Sequence, residues 1–291
     1  MYNLKPLLLV GILFVFSFQI KSQTSFDSVF THFRNLSIKA STDSEKTIYS
    51  DSLRNYVKAF LNTENSFNQP LGKIPYMGDV YSPDSKFRII TWNISLKNGS
   101  YDYVCFIQTS STNYNKTNWY ELTDQHKTIN RPESKSLNKD NWYGSLYYSI
   151  IPFKKDKKTH YVILGWEGNN RMSNKKVMEC LSFNKKLEPI FNQSVFESTR
   201  FSKKRIVFEY SKEAYFMLRY NEKLKQIVFN RLEPIKPELE GIFSFYQPTM
   251  LYDAYQLKKG KWTLKEDVNP RNKKNNKEFH NPSDLKRQKN K

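Results

Sequence analysis

The chain has 291 residues, 15% of them aromatic, and a formal net charge of +19. That length supports one large domain or two small ones. It contains no G-x-S-x-G elbow, no H-E-x-x-H, no C-x-x-C and no glycine-rich phosphate loop, and its four histidines show no metal-ligand spacing, so no metal and no cofactor are implied.

The N-terminus, MYNLKPLLLVGILFVFSFQIKSQ, places Lys5 before an apolar block from Pro6 to Phe18. About 13 residues fall short of the roughly 20 that a membrane-crossing helix needs and suit a secretory leader. Residues 1–22 are therefore expected to be a signal peptide cleaved near Ser22, with an uncleaved anchor as the rival reading. No later stretch is long and apolar enough for a transmembrane helix, so the mature chain is expected to be exported, periplasmic or extracellular.

Residues 23–75 read as a helical extension and a linker. Phe26, Val29, Phe30 and Phe33 recur at helical spacing, with Ser25 as N-cap and Asp27 in the first turn. Thr42-x-x-Glu45 reads as a capping box. Ile48, Tyr49, Leu53, Tyr56, Val57, Phe60 and Leu61 then form one apolar face, to be buried against the sheet that follows. Asn62 to Pro75 is polar and proline-bearing.

Residues 76–268 read as antiparallel β. KFRIITWNISL and YDYVCFIQT flank Asn98-Gly99, a strong hairpin signal. SLYYSIIPF and HYVILGW flank a charged tip, Lys154 to Lys158. KKVMECLSF, KRIVFEYS, AYFMLRY, KQIVFNRL, GIFSFYQ, MLYDAYQL and KWTLKED continue the series as strands. With two N-terminal helices, the expected fold is mostly β, in a sandwich, barrel or propeller-like arrangement. SPDSKF (82–87) resembles the turn that opens many propeller blades, but it occurs once.

Residues 269–291 hold eight Lys/Arg against Glu278 and Asp284 and read as a basic disordered tail. A basic balance favours acidic partners such as anionic lipids or acidic glycans, whereas abundant lysine and asparagine also mark chains from AT-rich genomes. Nucleic acid is not the expected partner. Cys105 and Cys180 lie in strand-like runs, and export permits a disulfide between them as well as two buried thiols.

The chemistry-bearing candidates are aromatic and carboxylate residues. Aromatic faces bind sugars by stacking, and Trp142 and Tyr143, like Trp119 and Tyr120, sit among polar, turn-like neighbours. Glu209 interrupts an apolar run. The stretch YVILGWEGNNRM clusters Trp166, Glu167, Asn169, Asn170 and Arg171 around a turn that Gly168 and the asparagines suffice to make. Such a set fits a saccharide rim, and it equally fits a loop locked by Arg171 on Glu167 and Trp166.

That stretch, with SPDSKFRIITWN upstream and KRIVFEYS and GIFSFYQPTMLYDAYQLKKGKW downstream, resembles a group of uncharacterised exported proteins of Bacteroidota. The likeness covers residues 75 to 268 and implies export and bacterial origin, not mechanism. The expected function is non-catalytic binding of a glycan, peptidoglycan or anionic envelope surface. The alternatives are a glycan hydrolase using Glu167 or Glu209 and a basic structural protein of the envelope.

Overall fold

The computed structural model describes residues 26–110, 118–197 and 202–269. The expected leader, the cap at Ser25 and the tail beyond Asn269 lie outside them. The described chain is mostly β, with two helices and three antiparallel sheets that do not close into a barrel.

Helix α1 spans residues 26–39 and α2 spans Asp43–Leu61. The capping box starts α2: Thr42 Oγ1 accepts from the Glu45 amide at 3.2 Å, and the Thr42 amide donates to the Glu45 carboxylate at 3.0 Å. Thr42→Ala is expected to lower stability by about 1 kcal/mol, read in a urea melt; no change would mean that tertiary packing alone sets this helix start. Leu53, Val57, Phe60 and Leu61 are buried together with Phe30 of α1. Ile48 and Tyr56, expected on that face, are 59% and 44% exposed. Ser50 takes a buried place instead, because its hydroxyl accepts the Trp92 indole N–H at 2.9 Å.

The helices cover sheet 1, ordered β1 (Met77–Tyr81), β2 (Phe87–Ser95), β3 (Tyr101–Thr109), β4 (Trp119–Leu122). Both faces of β2 and β3 are buried, which is why they read as nearly continuous apolar runs. Ile90, Trp92, Val104 and Phe106 face the helices, while Phe87, Ile89, Cys105 and Ile107 face sheet 2. The helical segment is therefore a packed layer of the fold rather than an appendage. The Asn98-Gly99 hairpin forms as expected, with Gly99 at φ 87°.

Sheet 2 comprises β5 (Leu137–Asn138), β6 (Leu146–Lys155), β7 (Lys158–Glu167), β8 (Ser173–Phe183), β9 (Pro189–Phe191) and β10 (Arg205–Ser211). Its order is β5-β9-β8-β7-β6, and β10 pairs with β8. The charged tip between β6 and β7 turns through Asp156 and Lys157, at φ 50° and 60°, the double positive φ of a hairpin turn that matches strand twist. Sheet 3 is β11 (Leu218–Asn221), β12 (Gln226–Pro234), β13 (Tyr246–Lys258) and β14 (Lys261–Lys265). GIFSFYQ and MLYDAYQL, expected as two strands, are one short 3₁₀ turn at Phe243–Phe245 leading into β13.

Sheet 2 is the middle of the stack. Tyr161, Ile163, Val177 and Leu181 point to sheet 1, and Val162, Leu164, Met178 and Cys180 point to sheet 3. This placement overturns the possible disulfide. Cys105 lies in the first interlayer and Cys180 in the second, both buried and free. Packed sheets lie about 10 Å apart, beyond the ~7 Å Cα reach of a bridge, and here a sheet stands between the thiols. Adding reductant is expected to leave the melting temperature unchanged; a fall of several degrees would contradict this placement.

Candidate functional site

The β7–β8 turn is locked from within. The Gly168 amide donates to the Tyr103 hydroxyl at 2.7 Å, and a Cβ here would lie 2.3 Å from the Tyr101 ring. Asn169 adopts φ 38°, and its amide donates to Ser173 Oγ at 2.7 Å and Glu209 Oε1 at 3.1 Å. Asn170 Oδ1 accepts the Met172 and Ser173 amides at 2.7 and 3.0 Å, a side-chain-closed turn. Arg171 donates to the Lys97 carbonyl at 2.6 Å, bracing the turn against the β2–β3 hairpin. Asn169, Asn170 and Arg171 thus hold the loop, and the expected Arg171–Glu167 pair does not form.

Glu167, Trp142 and Tyr143 are corrected as well. They are 1%, 0% and 3% exposed and lie inside, where a polymer rim cannot reach them. Glu167 receives the Tyr143 hydroxyl at 3.3 Å and pairs with Lys175 at 3.3 Å. Burial first, and the Glu167 charge second, hold the Tyr143 phenol well above its ordinary range, so it stays protonated as a donor. The Trp142 indole donates to Tyr147 OH at 2.6 Å, and that hydroxyl donates to Glu179. Arg205 completes the chain with Nε on Glu179 at 2.7 Å and its guanidinium 5.3 Å from the Tyr143 ring centre. Trp119 and Tyr120 are half-buried parts of the packing: the Trp119 indole donates to Asn62 Oδ1 at 2.9 Å and its ring packs on Phe106.

Trp166, half-buried, is placed differently from the rest of the expected set. It lines a cleft of about 680 Å³ between α1, the β1–β2 side of sheet 1 and the start of β6. Tyr101, Tyr148, Tyr76, Met77 and Leu146 make the rest of the apolar wall, and Asn93, Ser37 and Ser95 add polar groups. Tyr101 meets Trp166 edge to face at 5.4 Å. Tyr76 stands at φ 50° and is 72% exposed. A bulky residue held at positive φ stores strain, and something must over-determine it. Here that is Arg34, only 3% exposed, which donates to the carbonyls of Pro75 at 2.9 Å and Tyr76 at 3.3 Å and to both the carbonyl and the side chain of Asn93 at 2.8 and 3.0 Å.

A second, polar cavity of about 300 Å³ is lined by His126, Glu133, Tyr143, Lys175, Glu209 and Phe243, among others. Asp124 Oδ1 bonds His126 Nδ1 at 2.7 Å, and Asp124 Oδ2 accepts the Tyr103 amide at 2.9 Å. An imidazole whose Nδ1–H is fixed by a carboxylate leaves Nε2 as an acid–base group. In the sequence the only local mark of this pair is the Asp124-x-His126 spacing. Among the described residues, no group of three or more His, Cys, Asp or Glu is placed to hold a metal ion.

Neither a family model, nor a curated protein, nor a solved structure matches this chain.

Proposed function

We propose that the protein is an exported, non-catalytic binder of an envelope glycan, such as a peptidoglycan fragment, held in the Trp166 cleft. The observation that carries this reading is the wall itself: Trp166, Tyr101, Tyr148 and Tyr76 line one cleft, and Arg34 joins the Pro75 and Tyr76 carbonyls to Asn93 beneath it. Sugar rings present apolar C–H faces that stack on aromatic faces, while their hydroxyls need the polar groups of Asn93, Ser37 and Ser95. The basic charge then concentrates the protein at an anionic surface without defining the ligand.

A tryptophan-fluorescence titration tests it, with neutral glycans, peptidoglycan fragments and lipopolysaccharide, each at low and high salt. Of the five tryptophans Trp166 lines the cleft, whereas Trp92, Trp142 and Trp262 are at most 1% exposed and Trp119 is half-buried against Phe106, so a response lost in Trp166→Ala is assigned to the cleft. The expected result is saturable, salt-tolerant binding that Trp166→Ala weakens by about tenfold or more. A response that vanishes at high salt and survives the substitution would favour the charged structural protein instead. One observation favours a hydrolase as second reading: Glu209 and the Asp124-held His126 line the same cavity. Glycan turnover abolished by His126→Ala or Glu209→Gln, with folding intact, would move that reading ahead.

A further inference from the structure

Beside the cleft, on the face of sheet 2 that looks to sheet 3, stands a lysine without a counter-charge. Lys176 of β8 is the cross-strand neighbour of Trp166 on β7 and of Phe208 on β10. Its ammonium lies 5.5 Å from the ring centre of Tyr148, which also lines the cleft, and 5.9 Å from those of Tyr215 and Phe216. No carboxylate pairs with it among the described residues, and the titratable groups beside it are the phenols of Tyr148 and Tyr215. The neighbouring Lys175, by contrast, faces the opposite interlayer and pairs with Glu167. Three rings stabilise a cation by their quadrupoles, yet they exclude the water that an ammonium needs more. Desolvation therefore wins, and it pushes the Lys176 ammonium down to about 8. Lys176 is itself half-buried, and Tyr215, 85% exposed, stands on the solvent side of this cage, so the amine is within reach of a small solute.

We infer that Lys176 is a carbonyl-capture site, an amine that condenses with aldehydes, including the open-chain end of a reducing saccharide. The neutral amine's lone pair attacks the carbonyl carbon and forms the C–N bond, and the carbonyl oxygen takes up the proton that the nitrogen sheds. The carbinolamine's C–O bond then breaks as the nitrogen lone pair forms C=N, and the hydroxyl leaves as water with the remaining N–H proton; one amine and one aldehyde give one imine and one water, with no oxidant or reductant. Aromatic walls favour this outcome because the imine, unlike the ammonium, carries no obligatory charge. The site rests on the glycan reading only for the identity of a physiological carbonyl carrier, since a free aldotriose needs no cleft.

The test uses the mature protein with glyceraldehyde and cyanoborohydride, which traps imines irreversibly, followed by peptide mapping of every lysine. An ordinary lysine, with a pKa near ~10.4, is almost wholly protonated at neutral pH, so Lys176 is expected to be modified about tenfold or more faster than the median lysine at pH 7.5. Its rate is expected to level off above pH 8 while the others keep rising, and Lys176→Arg removes the fast phase. Modification of Lys176 no faster than the median, or with the same pH profile as the rest, overturns the inference. The two claims fail separately: fast modification of Lys176 with no glycan response in the fluorescence titration sinks the cleft reading alone, and glycan binding with Lys176 no faster than the median sinks the capture site alone.

Discussion

Glu179→Ala is expected to destabilise the protein by about 3–5 kcal/mol, because breaking one side of a fully buried ion pair strands the other charge. Both Glu179 and Arg205 are 0% exposed. The Arg205 guanidinium would keep only the Pro132 carbonyl, at 2.7 Å, and its stacking on Tyr143. Tyr147 would lose the acceptor for its hydroxyl while still receiving the Trp142 indole N–H. The loss thus propagates through the interlayer between sheets 1 and 2. Urea melts measure it, and a deficit under ~1 kcal/mol would mean the network adds specificity rather than stability. The double variant Glu179→Leu with Arg205→Met is expected to recover much of the loss, since replacing both partners by apolar groups leaves no orphaned charge.

A second large effect is expected at Arg88, on the helix side of sheet 1. Arg88 is 0% exposed and donates to Gln108 Oε1 at 2.9 Å, to the carbonyls of Gln69 and Ser66 at 2.9 and 3.0 Å, and to Tyr81 OH at 2.8 Å. It also approaches Asp79 at 3.4 Å. With Tyr81 on the Phe67 carbonyl and Gln108 on Ser66, it ties the irregular 62–75 segment to the sheet, and Arg88→Ala is expected to cost about 3–5 kcal/mol. The loss has a pH signature. Burial holds the Asp79 carboxyl above its ordinary range, and Arg88 is the chief group opposing that rise. Removing Arg88 raises it further. A carboxyl whose folded pKa exceeds its unfolded one contributes stability that is present below the unfolded pKa and is lost as pH rises through the folded one. The Arg88→Ala deficit relative to wild type is accordingly expected to be larger at neutral pH than in acid. An equal deficit at both would show that Asp79 does not carry the coupling.

Local signals in the sequence located most of the fold. Asn98-Gly99, the Thr42–Glu45 box and the apolar runs of β6, β7 and β8, bounded by polar turns, all depend on neighbours close in the chain, so their readings transferred to the structure. The site depended on contacts far apart in the chain. Trp142 and Tyr143 looked exposed because Lys139, Asp140, Asn141 and Gly144 surround them, yet the loop tucks both rings between sheets 1 and 2. Glu167 looked like a rim acid; its partners are remote, Tyr143 reaching it from the loop before β6 and Lys175 from β8. The Arg34 brace on Tyr76 spans 42 residues, and no pattern in either segment announces it. Ile48 and Tyr56 misled for another reason: the helical period placed them at the margin of a stripe narrower than the apolar residues suggested, because Ser50 found a buried partner in Trp92.

Hydrogen exchange of the protein, with and without a soluble peptidoglycan oligomer, tests the central claim most directly. The cleft is where four parts of the chain come together: residues 34–38, residues 76–78, the ends of the β2–β3 hairpin at 93–95 and Tyr101, and the ends of the β6–β7 hairpin at 146–148 and Trp166. Binding there is expected to slow exchange in all four together and to leave the region of His126 and Lys175 unchanged. Protection confined to the His126 cavity, or none with saturating oligomer, would contradict the account and leave the Trp166 wall as packing alone.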